Sequence, residues 1–290
     1  MRFLPFLLLL ALATPLTAQE FSGGFRAGLN FVSFDGDLES SDIDDMTFET
    51  LNRTTGFHVG ATFAFAFTDL FGLKADLMYN QKGGERRYAG PSYFYLYVDE
   101  DDEVGDVIFG DVQAEIDVVN SYIDIPVTAY YRIGPVELEG GFSAGLLVNS
   151  RASGGLTYTN TSFGTDERIV FNVDGSFFDD EFAGAAVSTL AETPLPRTTV
   201  IPPAVVGTYY NSDRNDPLYR RLDFGLIGGI AFYMNNGLFL GARYQHGLTD
   251  VTREDNDLRI TRTSQQNGRA FNNDDKDYNR AYQVSVGFRF

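Results

Sequence analysis

Eight runs of about ten to fourteen residues with alternating hydrophobicity follow an apolar leader. The gaps between them run long, short, long, short, long, short, long. The short gaps are Thr68–Gly72, Gly134–Pro135 and Met234–Gly237. The long ones are roughly Asp35–Thr54, Gly83–Asp117, Ser153–Tyr219 and Thr252–Asp277. A soluble sandwich has no reason to keep all its long connections at one end. A transmembrane β-barrel has one, because its periplasmic turns are short and its extracellular loops long. The rhythm predicts an all-β chain: a closed antiparallel transmembrane barrel with both termini on the periplasmic side.

The leader, Met1–Ala18, places Arg2 before an apolar core from Phe3 to Leu12 and ends in the small pair Thr17-Ala18. That pattern reads as a secretory signal peptide, residues 1–18, with the barrel domain over 19–290. The core is too short for a membrane-spanning helix. The chain has no cysteine, so neither disulfides nor a lipid on cysteine is expected.

Charge narrows the partners. The chain holds 22 basic and 40 acidic residues, a net charge of −18. Such a chain repels nucleic acid and does not sit on anionic lipid through a basic patch. It favours divalent cations or basic partners instead. Lipid-facing and lumen-facing residues alternate along a barrel strand, so its membrane partner is lipid although no long apolar run exists.

The alternation assigns faces. In Phe21–Phe34, Phe21, Phe25, Leu29 and Phe31 share one face, and Arg26, Gly28 and Asn30 the other. The pattern recurs in Phe57–Phe67, Leu73–Gln81, Val119–Arg132, Val136–Asn149, Arg221–Tyr233, Leu238–Val251 and Tyr278–Phe290. Pro126 lacks a ladder donor, so a bulge or a missing bond is expected there. Ser153–Tyr219 is too long for a plain loop. Its pieces Leu156–Thr159 and Arg168–Val173 fit an extracellular hairpin, which leaves eight strands. The alternative is a further membrane pair, making ten.

The lumen-facing set carries Arg26, Lys74, Arg132, Arg221, Arg243 and Arg289 against Asp76, Asp124, Glu137, Glu139 and Asp223. Buried charges must pair, so a salt-bridge network filling the lumen is expected; a gated pore or proton path is the alternative. Asp99, Asp101, Asp102 and Glu103 crowd the second long loop, and Asp35, Asp37, Asp42, Asp44 and Asp45 the first. Oxygen-rich clusters suit Ca²⁺ or Mg²⁺, but neither has the spacing of a dedicated calcium loop. A hydrated acidic face is the simpler reading. No other cofactor is implied. His58 faces the lumen. His246 falls on the outward phase near Asp250, where a rim-active hydrolase or acyltransferase would need a serine or second acid beside them.

Three segments carry a family resemblance: FRAGLNFVSFDGD (Phe25–Asp37), YIDIPVTAYYRI (Tyr122–Ile133) and YQVSVGFRF (Tyr282–Phe290). They resemble the PorT-like outer-membrane β-barrels of Bacteroidota-like bacteria, similar in architecture to small OmpA/OmpX-type barrels. The resemblance implies a bacterial outer-membrane location and a possible accessory role, or partner, in protein secretion. It also implies that Phe288 and Phe290 form the signal read by the barrel-assembly machinery. Ser285 stands where that signal usually has glycine. The expected function is a non-enzymatic barrel, structural or binding a surface ligand through its long acidic loops. The alternative is the rim-active enzyme.

Overall fold

The computed structural model describes residues 20–38, 46–96, 106–161, 168–176, 178, 188–191, 199–200, 219–252, 259–260, 271–272 and 276–290. The leader at 1–18, the acidic candidates Asp99, Asp101, Asp102 and Glu103, and Asp42, Asp44 and Asp45 lie outside the described residues.

Eight antiparallel strands form the barrel: β1 (Glu20–Asp35), β2 (Thr54–Ala66), β3 (Phe71–Leu96), β4 (Asp106–Ile133), β5 (Val136–Thr159), β6 (Leu222–Tyr233), β7 (Leu238–Asp250) and β8 (Tyr278–Arg289). Each pairs with its neighbours in the chain, and β8 returns to β1 from Gly24↔Arg289 to Asp35↔Tyr278. The ring closes so that no strand edge faces lipid, where an unpaired backbone group would be costly. Backbone bonds between Gly23 and Phe290 complete the seam at 2.9 and 3.2 Å.

The outward faces form an apolar belt. Phe21, Phe25 and Leu29 of β1, Phe63 of β2, Phe142 and Leu146 of β5, and Val284 of β8 are all exposed there. From Phe21 to Phe31 the belt follows β1 for the roughly 9–11 residues a membrane strand requires. Pro126 is in register opposite Ser143, and the irregularity lies instead at Ser121/Tyr122. The ring tolerates the proline at the cost of one ladder donor.

Sequence and structure differ most on the outer side. The segment Gly83–Asp117 read as a loop, yet β3 and β4 stay paired from Phe71↔Tyr131 to Leu96↔Asp106. Beyond Lys82 this adds ~45 Å of strand. β5 follows β4 out to Thr159, and Ile169–Ser176 pairs with β5 from Tyr158↔Ile169 to Arg151↔Ser176. Meanwhile β6 pairs directly with the membrane part of β5, from Leu222↔Leu146 to Phe232↔Val136. The pieces within Ser153–Tyr219 therefore prolong the barrel outward and add no membrane pair. The ring has eight strands.

The extension has its own core. Ile116, Val118, Leu147, Leu156, Tyr158, Phe171, Tyr219 and Val251 are fully or almost fully buried in one cluster with Phe34 and Tyr122. Two glycines in the long strands have positive φ. Gly83 has φ +124°, and a Cβ would stand 2.1 Å from the Val118 carbonyl oxygen; Gly154 has φ +152° and the same conflict with Glu115. Side chains are almost excluded from both conformations.

Candidate functional site

The lumen at membrane depth is filled with charge in layers. The innermost surrounds Glu137 and Glu139, which β5 sends inward directly after its turn. Lys74 Nζ donates to Glu137 at 2.6 Å and also pairs with Glu139. Arg243 pairs with Glu139 and donates to Asp76 at 2.6 Å. Arg26 reaches Asp76 at 3.3 Å. At the mouth, Arg132 and Arg289 both donate to Glu137, at 2.8 and 3.2 Å.

The middle layer centres on Lys82. It donates to Asp124 on β4 and to Asp223 on β6, at 3.1 and 2.9 Å, and Asn279 adds a bond to Asp223 at 3.0 Å. Above it Arg86 joins Glu49 at 2.8 Å and pairs with Asp277, which also accepts from Thr252 at 3.0 Å. The apolar cluster of the extension lies beyond.

Ten of the eleven charged residues assigned to the lumen meet there; Arg221 does not. It precedes β6 at a bend, is exposed, and its guanidinium lies over Phe178, 4.6 Å from the ring centre. Period-2 counting fails for it because the strand starts one residue later. The count missed Lys82 and Arg86 for the opposite reason. Both continue the inward phase of Lys74, Asp76 and Asn80, but Gly83-Gly84 read as the end of the strand.

His58 sits in a polar chain that runs along the lumen wall across the adjacent strands β8, β1, β2 and β3. Asn30 commits its amide nitrogen to Asn80 Oδ1 at 2.6 Å and to the Gln81 carbonyl at 2.9 Å. Its Oδ1 therefore faces His58 Nδ1, 2.6 Å away, and must accept a hydrogen bond. That fixes the tautomer: Nδ1 carries hydrogen, and Nε2 accepts from Ser285 Oγ at 2.8 Å. The order is that of a base-activated serine. All three residues are at most 2% exposed. The arrangement satisfies a buried histidine in a packed interior.

The outer-rim pair is not assembled. His246 Nδ1 meets the Tyr244 hydroxyl at 3.4 Å. Asp250 accepts the amide of Asp277 at 3.1 Å and pairs with Arg220 at 3.7 Å. Among the described residues, no group of three or more His, Cys, Asp or Glu is arranged to hold a metal ion.

On the outward face of the extension, Glu85, Asp111, Glu115, Asp117 and Asp174 outnumber Arg87 and Arg151, which pair with Glu115 at 3.1 Å and Asp174 at 2.7 Å. Asp117 lies opposite Glu85 in the ladder. Its pKa is raised, chiefly by burial and then by Glu85 and Glu115.

This closed ring, with short turns on one side and a tall extension on the other, agrees with a family match. The model of the outer membrane protein beta-barrel domain family covers residues 17–253. The chain belongs to this family. It is a protein of the bacterial outer membrane, embedded in lipid through its eight strands. Among solved structures it is similar to Ail, the attachment invasion locus protein of Yersinia pestis. Identity to Ail is 9%, over 93% of this chain and 99% of that one, with a TM-score of 0.35. It is also similar to the outer membrane protein OprG from Pseudomonas aeruginosa, at 12% identity over 96% and 99% with a TM-score of 0.37. The outer membrane protease OmpT from Escherichia coli is similar at 8% identity over 96% and 99%, with a TM-score of 0.29. No curated protein matches the chain.

Proposed function

We propose that this is a non-enzymatic outer-membrane barrel that presents its extension to a surface ligand and keeps its own lumen shut. One observation carries the reading. Ion pairs from β1, β3, β4, β5, β6, β7 and β8 meet in the lumen beneath an apolar cluster. Eight strands leave an interior that side chains can fill, so little space remains for a water column. The acidic face of the extension suits a basic ligand, or divalent cations held with the loop carboxylates Asp99, Asp101, Asp102 and Glu103. The resemblance to PorT-like barrels supports an accessory place in secretion. Residues 1–18 serve export, and Phe288 and Phe290 serve recognition by the barrel-assembly machinery. Purified protein in planar bilayers is expected to give no stable porin-sized conductance steps. Reproducible steps would overturn the reading.

A hydrolase or acyltransferase is the second reading; Ser285, His58 and Asn30 stand in the order of a base-activated serine, but all three are buried in the packed lumen. A fluorophosphonate probe should then label the folded protein, with labelling lost in Ser285→Ala. A folded wild type that stays unlabelled supports the first reading.

A further inference from the structure

We propose that the periplasmic mouth of the barrel binds a carboxylate group between Arg132 and Arg289. The turns Gly134–Pro135 and Met234–Gly237 border a cavity of about 480 Å³, and Arg132, Arg289 and Tyr233 line it. Its volume falls in the range of small-molecule sites.

The two arginines are held as a pair. Arg132 lies over the rings of Tyr130 and Tyr233, 5.8 and 5.0 Å from their centres. Arg289 lies over the same two rings at 5.7 and 4.8 Å. Cation–π contact with two tyrosines restrains a guanidinium and lowers the entropy lost when it binds.

The protein leaves this pair short of negative charge. Both guanidinium groups donate to the same atom, Glu137 Oε2, while Glu137 Oε1 takes Lys74 and the Tyr233 hydroxyl. One carboxylate thus serves three cations and a phenol. A guanidinium carries five N–H donors, and each of these two spends one on Glu137. The imbalance extends through the inner layer, where Arg26, Lys74, Arg132, Arg243 and Arg289 face Asp76, Glu137 and Glu139. The outer layers reverse it, with Lys82 and Arg86 against Asp124, Asp223, Glu49 and Asp277. The described lumen is neutral as a whole but positive toward the periplasm. A carboxylate entering from that side meets two guanidinium groups with donors beyond those spent on Glu137, and a planar guanidinium can bind a carboxylate bidentately. The fitting ligand is a carboxylate-bearing chain or small acid of the periplasm.

Calorimetric titration of the full-length protein in lipid nanodiscs tests this, with glutarate as probe and glutaramide as its uncharged match. Glutarate is expected to saturate the site and glutaramide not to bind. Arg132→Gln and Arg289→Gln should each weaken glutarate by about tenfold, the loss typical of a charge-assisted hydrogen bond. Either variant also disturbs Glu137, so a third leaves that network alone. Asn235→Asp adds a carboxylate at the lining of the cavity and should weaken glutarate while heat-modifiable gel migration stays unchanged. Three results overturn the proposal: no saturation of the wild type, equal binding of glutaramide, or unchanged glutarate affinity in all three variants.

Discussion

Lys82 on β3 donates to Asp223 on β6 at 2.9 Å, joining two strands that share no ladder. Its other bond goes to Asp124 on the neighbouring β4, so one ammonium ties together three strands. The side chains involved are at most 2% exposed. Lys82→Met would leave two buried carboxylates without their cation. Breaking a buried pair costs on the order of 3–5 kcal/mol, less where water enters. Urea unfolding in lipid vesicles should show that loss. Lys82→Met combined with Asp223→Asn should recover part of it, and a single variant as stable as the wild type would contradict the role of the bridge.

Gly83 stands where β3 runs on past Lys82 into the extension. Its φ of +124° and the nearby Val118 carbonyl exclude a β-branched side chain. Gly83→Val should destabilise the extension by about 1–3 kcal/mol, the usual magnitude of local backbone strain. The membrane ring should persist. The expected readout is faster hydrogen exchange in Arg86–Tyr88 and Ile116–Val118, with heat-modifiable migration retained.

Asp117 gives the extension a pH dependence of definite sign. Burial, Glu85 and Glu115 raise its pKa above that of the unfolded chain, outweighing Thr54 and Arg87. The folded extension therefore holds the proton more tightly than the unfolded one. It gains stability as pH falls through the raised pKa and carries repulsion at neutral pH. Asp117→Asn should slow hydrogen exchange in this hairpin at about pH 7 relative to wild type, and the gap should shrink toward about pH 4. A gap that widens on acidification would show the sign to be wrong.

Phe290 is 76% exposed on the lipid side and next to Phe288, with 6.4 Å between the ring centres. The proposed role in an assembly signal predicts sensitivity to charge at this position. Phe290→Asp is expected to lower outer-membrane levels and leave periplasmic degradation products. Normal levels on fractionation would remove the signal role.

Sequence alternation was enough to read the ring. Lipid and lumen make opposite demands on successive residues, so Phe25 and Leu29 separate from Arg26 and Asn30 by counting alone. The short turns Gly134–Pro135 and Asn235–Gly237 then set strand order, because a hairpin leaves its two strands little choice of partner. Of the eleven charges that counting assigned to the lumen, ten meet there. Counting erred where a strand ended or continued against local expectation. Arg221 falls just before β6, and Lys82 and Arg86 lie on either side of the Gly83-Gly84 pair.

The sequence by itself therefore determined faces, strand order and membrane residence, which rest on period and turn chemistry between near neighbours. Only the tertiary structure decided which charges meet. His58 finds Ser285, 227 positions away, because β8 closes onto β1 and brings its inward face beside β2. Lys82 reaches Asp223 only across the closed ring. Arg132 and Arg289 share Glu137 because the ends of β4 and β8 reach the same mouth. Such meetings depend on register and closure, and no local pattern in the chain encodes the distance across a barrel.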